Sequence, residues 1–216
     1  AFIKRAINAA NPVTPAGTVS ESMTILFAFL LNNVKNYVLF KGSRIKDVSC
    51  AMVKEKEHIF TLSMVHTDIT IPATAHGLGG TPTIVTVFPT GPVWSWDKVA
   101  NPIAWGGVAQ KCTEFNFTIN RNAKANHIMG QTKPYNAKTH GRRIGGDWSN
   151  LYTNTALETD SKPPKTERTL TAVLHTSFTV TFLNTKISYN REDLASDSDE
   201  DVIENVTFKS KSANLP

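Results

Sequence analysis

The sequence is poor in cysteine, and its only two thiols, Cys50 and Cys112, are far apart with no CxxC pair. A disulfide-rich scaffold is therefore excluded, and two buried free thiols are favoured over a bridge between the halves of the chain. Long apolar runs are also missing, since the longest extends only from Ile25 to Leu31. The first residues lack the apolar segment of a signal peptide. We therefore expect a soluble intracellular product with no membrane partner.

Motifs for catalysis and cofactor binding are absent as well. The six histidines are not spaced as metal ligands, and no Gly-x-Ser-x-Gly nucleophile motif occurs. The glycine-rich stretch 141–146 lacks the Lys-Ser/Thr ending of a phosphate loop. The sequence thus predicts no catalytic residue, no metal and no cofactor, and it disfavours an enzyme.

Charge is unevenly distributed, although the net charge of the 216 residues is only +5. Residues 121–143 contain no acidic residue, and residues 192–204 contain no basic one. The two blocks are either solvated loops or opposite patches through which neighbouring copies attract each other. Because the acidic block is similar in size to the basic one, a protein that recognises nucleic acid is disfavoured. The charged candidates for a subunit interface here are Lys133, Lys138, Arg142, Arg143, Asp197, Asp199, Glu200 and Asp201.

Segments of alternating apolar and polar residues predict an all-β fold with minor helix, as a sandwich or barrel of about eight to ten strands. Residues 48–52 and 60–64 alternate in this way. The polar turn between them, which adds Lys54, Glu55, Lys56 and Glu57 to the interface candidates, predicts an antiparallel hairpin. Further strands are expected at 24–31, 37–40, 84–88, 115–119, 170–174, 178–182, 187–189 and 203–208. The last of these is expected to close the sheet, and only 3–10 and 146–157 are candidate helices.

The chain is expected to consist of an N-terminal arm at 1–20 and a single β domain at 21–216. That domain has two halves, about 21–90 and 113–210, joined by a connection at 91–107 that is rich in Gly, Pro and Trp. Trp94, Trp96 and Trp105 in this connection either pin it to the sheet or to a partner subunit, or form a stacking platform for sugars. Residues 158–168 are expected to be an exposed loop.

Two regions together resemble the tail tube proteins of long-tailed bacterial and archaeal viruses. The first is NYVLFKGSRIKDVSCAMVKEKEHIFTLSMVHTDI, in which Gly42, Ser49 and Asp68 fall at the family's expected positions. The second comprises TEFNFTINRNAKANHIMGQ and FTVTFLNTKISYNREDLASDSDEDVIENVTFKS. The resemblance covers about residues 20–70 and 113–210, and it rests on the order and spacing of alternating strands.

This resemblance implies a structural virion protein, a β-sandwich with a flanking helix. Its sheets would join those of neighbours into a continuous barrel, in six-fold rings that stack into a hollow tube. It also implies tape-measure, tail terminator and baseplate proteins as partners, synthesis in the host cytoplasm, and passage of viral DNA without specific binding. The expected stacking extensions are the arm at 1–20, the turn at 54–57 and an insertion at 131–168.

The bore of such a tube should be polar and not strongly basic, so that DNA does not adhere. Hydroxyl-bearing strand faces at Thr61 and Ser63, or at Thr179 and Thr181, would suit it. The basic block at 121–143 is expected to lie outside the bore or to be neutralised by the acidic block. Two alternatives remain open, a jelly-roll capsid protein of a small virus and a carbohydrate-binding β-sandwich.

Overall fold

The computed structural model describes residues 23–31, 34–71, 95, 99–139, 141–152, 155–175, 178–191 and 202–214. Within these ranges the chain forms thirteen strands and one short helix. The elements are β1 (Met23–Leu31), β2 (Val34–Val53), β3 (Ile59–Val65), β4 (Asp68–Thr70), β5 (Ile103–Trp105), β6 (Val108–Ala109), β7 (Cys112–Asn120), β8 (Lys124–Asn126), β9 (Asn136–Lys138), β10 (Arg143–Leu151), α1 (Ala156–Ser161), β11 (Arg168–His175), β12 (Phe178–Arg191) and β13 (Ile203–Asn214).

Eleven of these strands form one antiparallel sheet in the order β1-β2-β7-β10-β13-β12-β11-β5-β6, with β3 and β4 also paired to β2. The strands β8 and β9 form a separate hairpin. The sheet curls on itself, because the Trp105 ring of β5 lies 6.2 Å from the Trp148 ring of β10, although three strands separate them in the sheet order. The predicted all-β fold is confirmed.

The core is an aromatic cluster enclosed by the curled sheet. Alternation places Phe115 and Phe117 of β7 inward, where both are buried, while Thr118 points outward. The Phe115 ring stacks on the Phe208 ring at 5.9 Å and 8°, and the Phe117 ring meets the Phe182 ring edge-on at 5.4 Å. Burial of each such side chain contributes about 2 kcal/mol, and the preferred ring geometries add to this.

The strand β2 joins segments that the sequence suggested were separate. It pairs with β4 at Leu39–Lys41 and with β3 at Arg44–Ala51. The pairing of Lys41 with Asp68 and that of Arg44 with Val65 have the same register, so β3 and β4 lie along one continuous side of β2. The predicted hairpin across the 54–57 turn is therefore confirmed, and it is longer than expected. Gly42 interrupts the ladder with φ of 60°. A Cβ atom there would collide with the Thr67 side chain, whose hydroxyl donates to the Lys41 carbonyl.

The sequence interpretation of residues 143–168 was wrong in two respects. The candidate helix at 146–157 is for the most part β10, which pairs with β7 on one side and β13 on the other. The helix is instead α1, so the stretch 158–168 is not wholly an exposed loop, and Asp160 within it is buried. The supposed insertion at 131–168 thus supplies a central strand. The strand was missed because glycines at 145 and 146 interrupt its alternation of apolar and polar residues.

Other strand boundaries also differ from expectation. The segments at 178–182 and 187–189 are one strand, β12, which continues through Asn184 at φ of 50°. The last strand, β13, does not close the sheet but lies in its middle, between β10 and β12. Part of the 91–107 connection is β5, a strand paired with β11. The candidate helix at 3–10 and the candidate strand at 84–88 lie outside the described residues.

The two cysteines are free thiols, as predicted. Cys50 is buried on β2, and Cys112 is half-buried at the start of β7. Desolvation by burial raises the pKa of each thiol to about 12. Both groups therefore remain protonated at neutral pH, which is typical of structural cysteines.

Gly146 provides a test of the central sheet. A Cβ atom there would collide with the Asn116 carbonyl oxygen and lie 2.8 Å from the Phe117 Cα, so the change Gly146→Ala forces the backbones of β10 and β7 apart. We expect it to lower the free energy of unfolding by roughly 3 kcal/mol, as overpacking of a rigid site does. Chemical denaturation measures this.

The matched control is Gly107→Ala, where an added Cβ meets no atom within 4 Å but the φ of 83° is unfavourable for alanine. Its cost should be only about 1 kcal/mol. Equal losses in the two variants would show that β10 does not pack against β7 as described.

Candidate assembly surfaces

The hairpin end at Lys54–Glu57 is exposed, as expected for a candidate contact. Glu55 has a φ of 65°, and the Lys56 amide donates to the Val53 carbonyl at 3.1 Å, which closes the turn. The backbone of Glu57 forms an isolated antiparallel bridge with Ser95. The turn therefore presents two lysines and two glutamates at the end of a long, supported hairpin.

A second surface is apolar and lies where β1, β2 and β4 meet. Leu39 of β2 points into the protein and is buried, whereas Phe40 points to the opposite face. On that face the Phe27 ring contacts the Phe40 ring edge-on at 5.6 Å, and Ile69 is the cross-strand partner of Phe40. Phe27 and Ile69 are about half exposed, and Ile71 is 71% exposed. We call Phe27, Phe40, Ile69 and Ile71 the apolar face.

A third surface is a basic groove on the outward side of β7, β10, β12 and β13. It has a volume of about 930 Å³, and its floor is open at Gly145, which occupies an outward-facing position of β10. Its basic lining residues are Arg142, Arg143, Lys165, Lys186, Lys209 and Lys211. Only the two arginines belong to the basic block seen in the sequence.

The groove contains an intramolecular anion at its margin. The Glu167 carboxylate lies 2.9 Å from the Lys211 ammonium and 3.4 Å from that of Lys186. The hydrogen bond from Lys211, together with Lys186, lowers the pKa of Glu167 from its ordinary value. Six basic residues against this one carboxylate leave five positive charges in excess. The lysines could have been recognised in the sequence, since Lys186, Lys209 and Lys211 occupy the polar positions of alternating strands.

The structure divides the rest of the basic block. Arg121 is buried, and its backbone amide donates to the Lys46 carbonyl. The Lys133 ammonium lies 2.8 Å from the Asp68 carboxylate, and this hydrogen bond lowers the pKa of Asp68. Lys138 lies on β9, opposite Lys124 of β8. The 121–143 segment is therefore not one basic patch.

Trp105 is a core residue, contrary to its selection as an interface candidate and as part of an exposed sugar platform. It is 3% exposed, and its indole Nε1 donates to the Asp160 Oδ2 at 2.8 Å. The Arg168 Nε lies 2.7 Å from the same oxygen, and its Nη2 lies 3.1 Å from Oδ1. A side chain enclosed by its own subunit has little area for a partner. Trp94, Trp96, Asp197, Asp199, Glu200 and Asp201 lie outside the described residues.

No cluster of three His, Cys, Asp or Glu side chains suited to a metal ion occurs in the part of the chain that the structure describes. Across the same residues, no helix has the length and apolar character needed to cross a bilayer.

Comparison with known families identifies the class of protein to which this curled sheet belongs. Residues 9–210 match the phage tail tube protein family. The match covers most of the chain, so the chain belongs to this family and is a structural protein of the tail tube, a component of the virion. The predicted resemblance is confirmed. A search of curated proteins found no match.

The buried Asp160 gives a pH-dependent prediction. Burial alone would raise the pKa of this carboxyl, but hydrogen bonds from Arg168 and Trp105 and the Arg168 charge outweigh it, so the pKa lies below its ordinary 3.8. Its stabilising contribution is therefore present above that value and is lost as pH falls through the lower, folded-state pKa. The free energy of unfolding of the variant Asp160→Asn should be about 2 kcal/mol lower than that of the parent at pH 7.

Denaturation across the acid range measures this difference, which should shrink once the pH falls below 3.8. Glu158→Gln serves as the control, because its ion pair with Lys162 at 2.7 Å is exposed and is worth less than about 0.5 kcal/mol. A constant difference between Asp160→Asn and the parent at every pH would refute the assignment.

Proposed function

We propose that the protein forms six-fold rings that stack into a hollow tail tube, through which viral DNA passes without specific binding. Membership of the tail tube family supports this, and the single structural observation that favours self-assembly is the apolar face on an open part of the sheet. Contiguous exposed apolar surface typically marks a protein interface. Its four members are Phe27, Phe40, Ile69 and Ile71.

The geometry of the edges supports lateral contact between copies. Among the described residues, β3 and β4 pair only with β2, and β6 pairs only with β5, so these strands have open edges. Open edges invite pairing with another chain. A contact between two different edges of identical subunits closes into a ring when its rotation permits. We therefore place the lateral contact at β3 and β4, beside the apolar face.

The remaining interface candidates are assigned to contacts between rings. The turn Lys54–Glu57 is exposed at the end of a long hairpin, which suits it to reach across a seam between rings. Lys133 and Lys138, and the tryptophans Trp94 and Trp96, stay candidates of lower rank, and the arm at 1–20 is a further candidate extension. The segment 131–168 is withdrawn because it contains β10.

The family also suggests the wider setting. Tape-measure, tail terminator and baseplate proteins are the expected partners, and synthesis occurs in the host cytoplasm before assembly. The polar face formed by Thr61 and Ser63 is exposed to half-buried and suits a bore that does not retain DNA. The proposed role requires no catalysis and no cofactor.

Microscopy of the purified full chain at rising concentration tests the proposal. Negative-stain images should show hollow tubes and six-fold rings. Closed spherical shells would support the capsid alternative, and a monomer at every concentration would contradict self-assembly. The sugar-binding alternative predicts glycan affinity, but Trp105 is buried and cannot belong to an exposed platform.

The apolar face is tested by the double variant Ile69→Lys and Ile71→Lys. Both side chains are exposed in the subunit, so the free energy of unfolding should change by less than about 1 kcal/mol. Charges placed on a desolvated contact should nonetheless abolish rings and tubes. Analytical ultracentrifugation measures the loss.

Ile128→Lys with Met129→Lys is the matched control, because these two exposed apolar residues lie in the connection between β8 and β9, two strands that are not part of the eleven-stranded sheet. It should assemble normally. Normal tubes from the Ile69 and Ile71 variant would exclude the apolar face as a lateral contact.

A further inference from the structure

We infer that the basic groove receives the acidic segment 192–201 of a second copy of this chain, so that subunits associate head to tail. The inference rests on the proposed tube and specifies one of its contacts. Four observations carry it: the excess charge of the groove, a like-charge pair at its centre, the charge of the segment, and the positions of the two along the same strands.

The centre of the groove has an unfavourable arrangement in the isolated subunit. Lys186 of β12 and Lys209 of β13 are direct cross-strand partners, and Lys209 is paired on its other side with Gly145 of β10. Like charges directly opposite each other destabilise a sheet, and an exposed ion pair such as that of Lys186 with Glu167, at 3.4 Å, offsets little of this repulsion. Departures from local stability rules concentrate at functional sites. An anionic occupant would remove the repulsion, and the absence of a side chain at Gly145 leaves room for it.

The acidic segment supplies the complementary charge. Residues 192–201 contain six carboxylates and no basic residue, and the groove has six basic lining residues. The groove already accepts one carboxylate from its own chain, that of Glu167. Every copy of the chain carries one groove and one acidic segment. A homo-oligomer therefore contains as many segments as grooves, and each groove can be filled.

The two features lie towards opposite ends of the same strands. The segment leaves β12 at Arg191 and returns before β13 at Ile203, whereas the groove centres on Lys186 and Lys209, about 17 Å along the strand. Between them, the charged side chains on the outward face change from basic to acidic. There the Asn116 side chain donates at 3.1 Å both to Glu114 and to Asp147. The groove and the two points at which the chain enters and leaves the segment are therefore at opposite ends of these strands.

Reach disfavours occupation by the same chain. A ten-residue segment tethered at both ends extends by at most half its length, about 17 Å. Its tip alone would arrive at the groove centre, while the carboxylates near its two ends would remain outside. A neighbouring subunit placed head to tail can present the whole segment. This heterologous contact repeats without closing, which is the geometry of a stack.

The test compares three sets of substitutions in the full chain. The groove variant combines Arg143→Gln, Lys186→Gln and Lys209→Gln. The segment variant combines Asp197→Asn, Asp199→Asn and Asp201→Asn. The control combines Lys111→Gln, Lys124→Gln and Lys162→Gln, which removes the same charge from exposed positions outside the groove.

The groove and segment variants should each form rings but raise the concentration at which tubes appear by roughly tenfold, while the control behaves as the parent does. The thermal midpoint of the groove variant should stay close to that of the parent, since the removal of like-charge repulsion offsets the loss of the exposed Lys186–Glu167 ion pair. Parent tubes should shorten between ~0.1 and ~1 M salt, as screened attraction predicts.

Mixing the two defective variants separates contact between copies from contact within one chain. Groove-variant rings retain the segment and segment-variant rings retain the groove, so the mixture should form ring pairs that do not extend. Electron microscopy and sedimentation would detect them. No ring pairs, together with two variants that each form fewer tubes, would show that the segment acts within its own subunit and overturn the inference.

Two further outcomes would overturn it independently. Tubes from the groove variant at the parent's concentration would reject this contact while leaving the proposed tube intact, whereas a parent that never forms tubes would reject the proposed function itself. Binding of a short double-stranded DNA by the parent, lost in the groove variant while tubes still form, would assign the groove to nucleic acid.

Discussion

Aromatic rings packed across the curled sheet hold this fold together. Phe115, Phe117, Phe182 and Phe208 come from strands of one sheet, yet they meet because the sheet bends until its inner face is enclosed. The bend also brings Trp105 against Trp148. Without this bend the inner sides of these strands would face water, and the apolar residues at every second position would not be buried.

The enclosed core determines what the outer surface can present. Every second residue of β12 and β13 is committed inward, so the intervening positions are free to carry charge at little cost to packing. That is where Lys186, Lys209 and Lys211 lie. Glycine at positions 145 and 146 lets β10 lie close between β7 and β13, and Gly145, on the outward side, also leaves a depression in the floor of the groove. One local choice thus serves both core packing and groove shape.

A curled sheet with open edges has to balance solubility against association. The apolar face would be an aggregation hazard if contact were unrestricted. The charged hairpin end, and the complementary charges of the groove and the acidic segment in the contact inferred above, would favour particular orientations. In a tail tube protein, directional contacts of this kind lead to an ordered assembly, and apolar attraction alone does not provide such order.

Features that depend on local periodicity were predictable from the order of residues alone. Strict alternation at 48–52, 115–119 and 178–182 determined which side chains enter the core, and the polar residues at 54–57 marked the hairpin turn. The sequence also predicted the family, because the order of strands and turns over most of the chain is read without knowing how they pair. It was misleading at β10, where two glycines interrupt the pattern, and it left open whether Trp105 pins its connection to the sheet, contacts a partner or is exposed.

Contacts between distant segments, in contrast, became visible only in the folded sheet. The six basic residues of the groove come from positions between 142 and 211, and no spacing rule links Arg143 to Lys186 or Lys209. Likewise, the buried contact of Asp160 with Trp105 and Arg168 joins α1, β5 and β11. Sheet pairing is set by packing between segments far apart in the chain. Local patterns therefore predict which side chains of a strand face the core. Which strands lie next to each other is known only from the folded sheet.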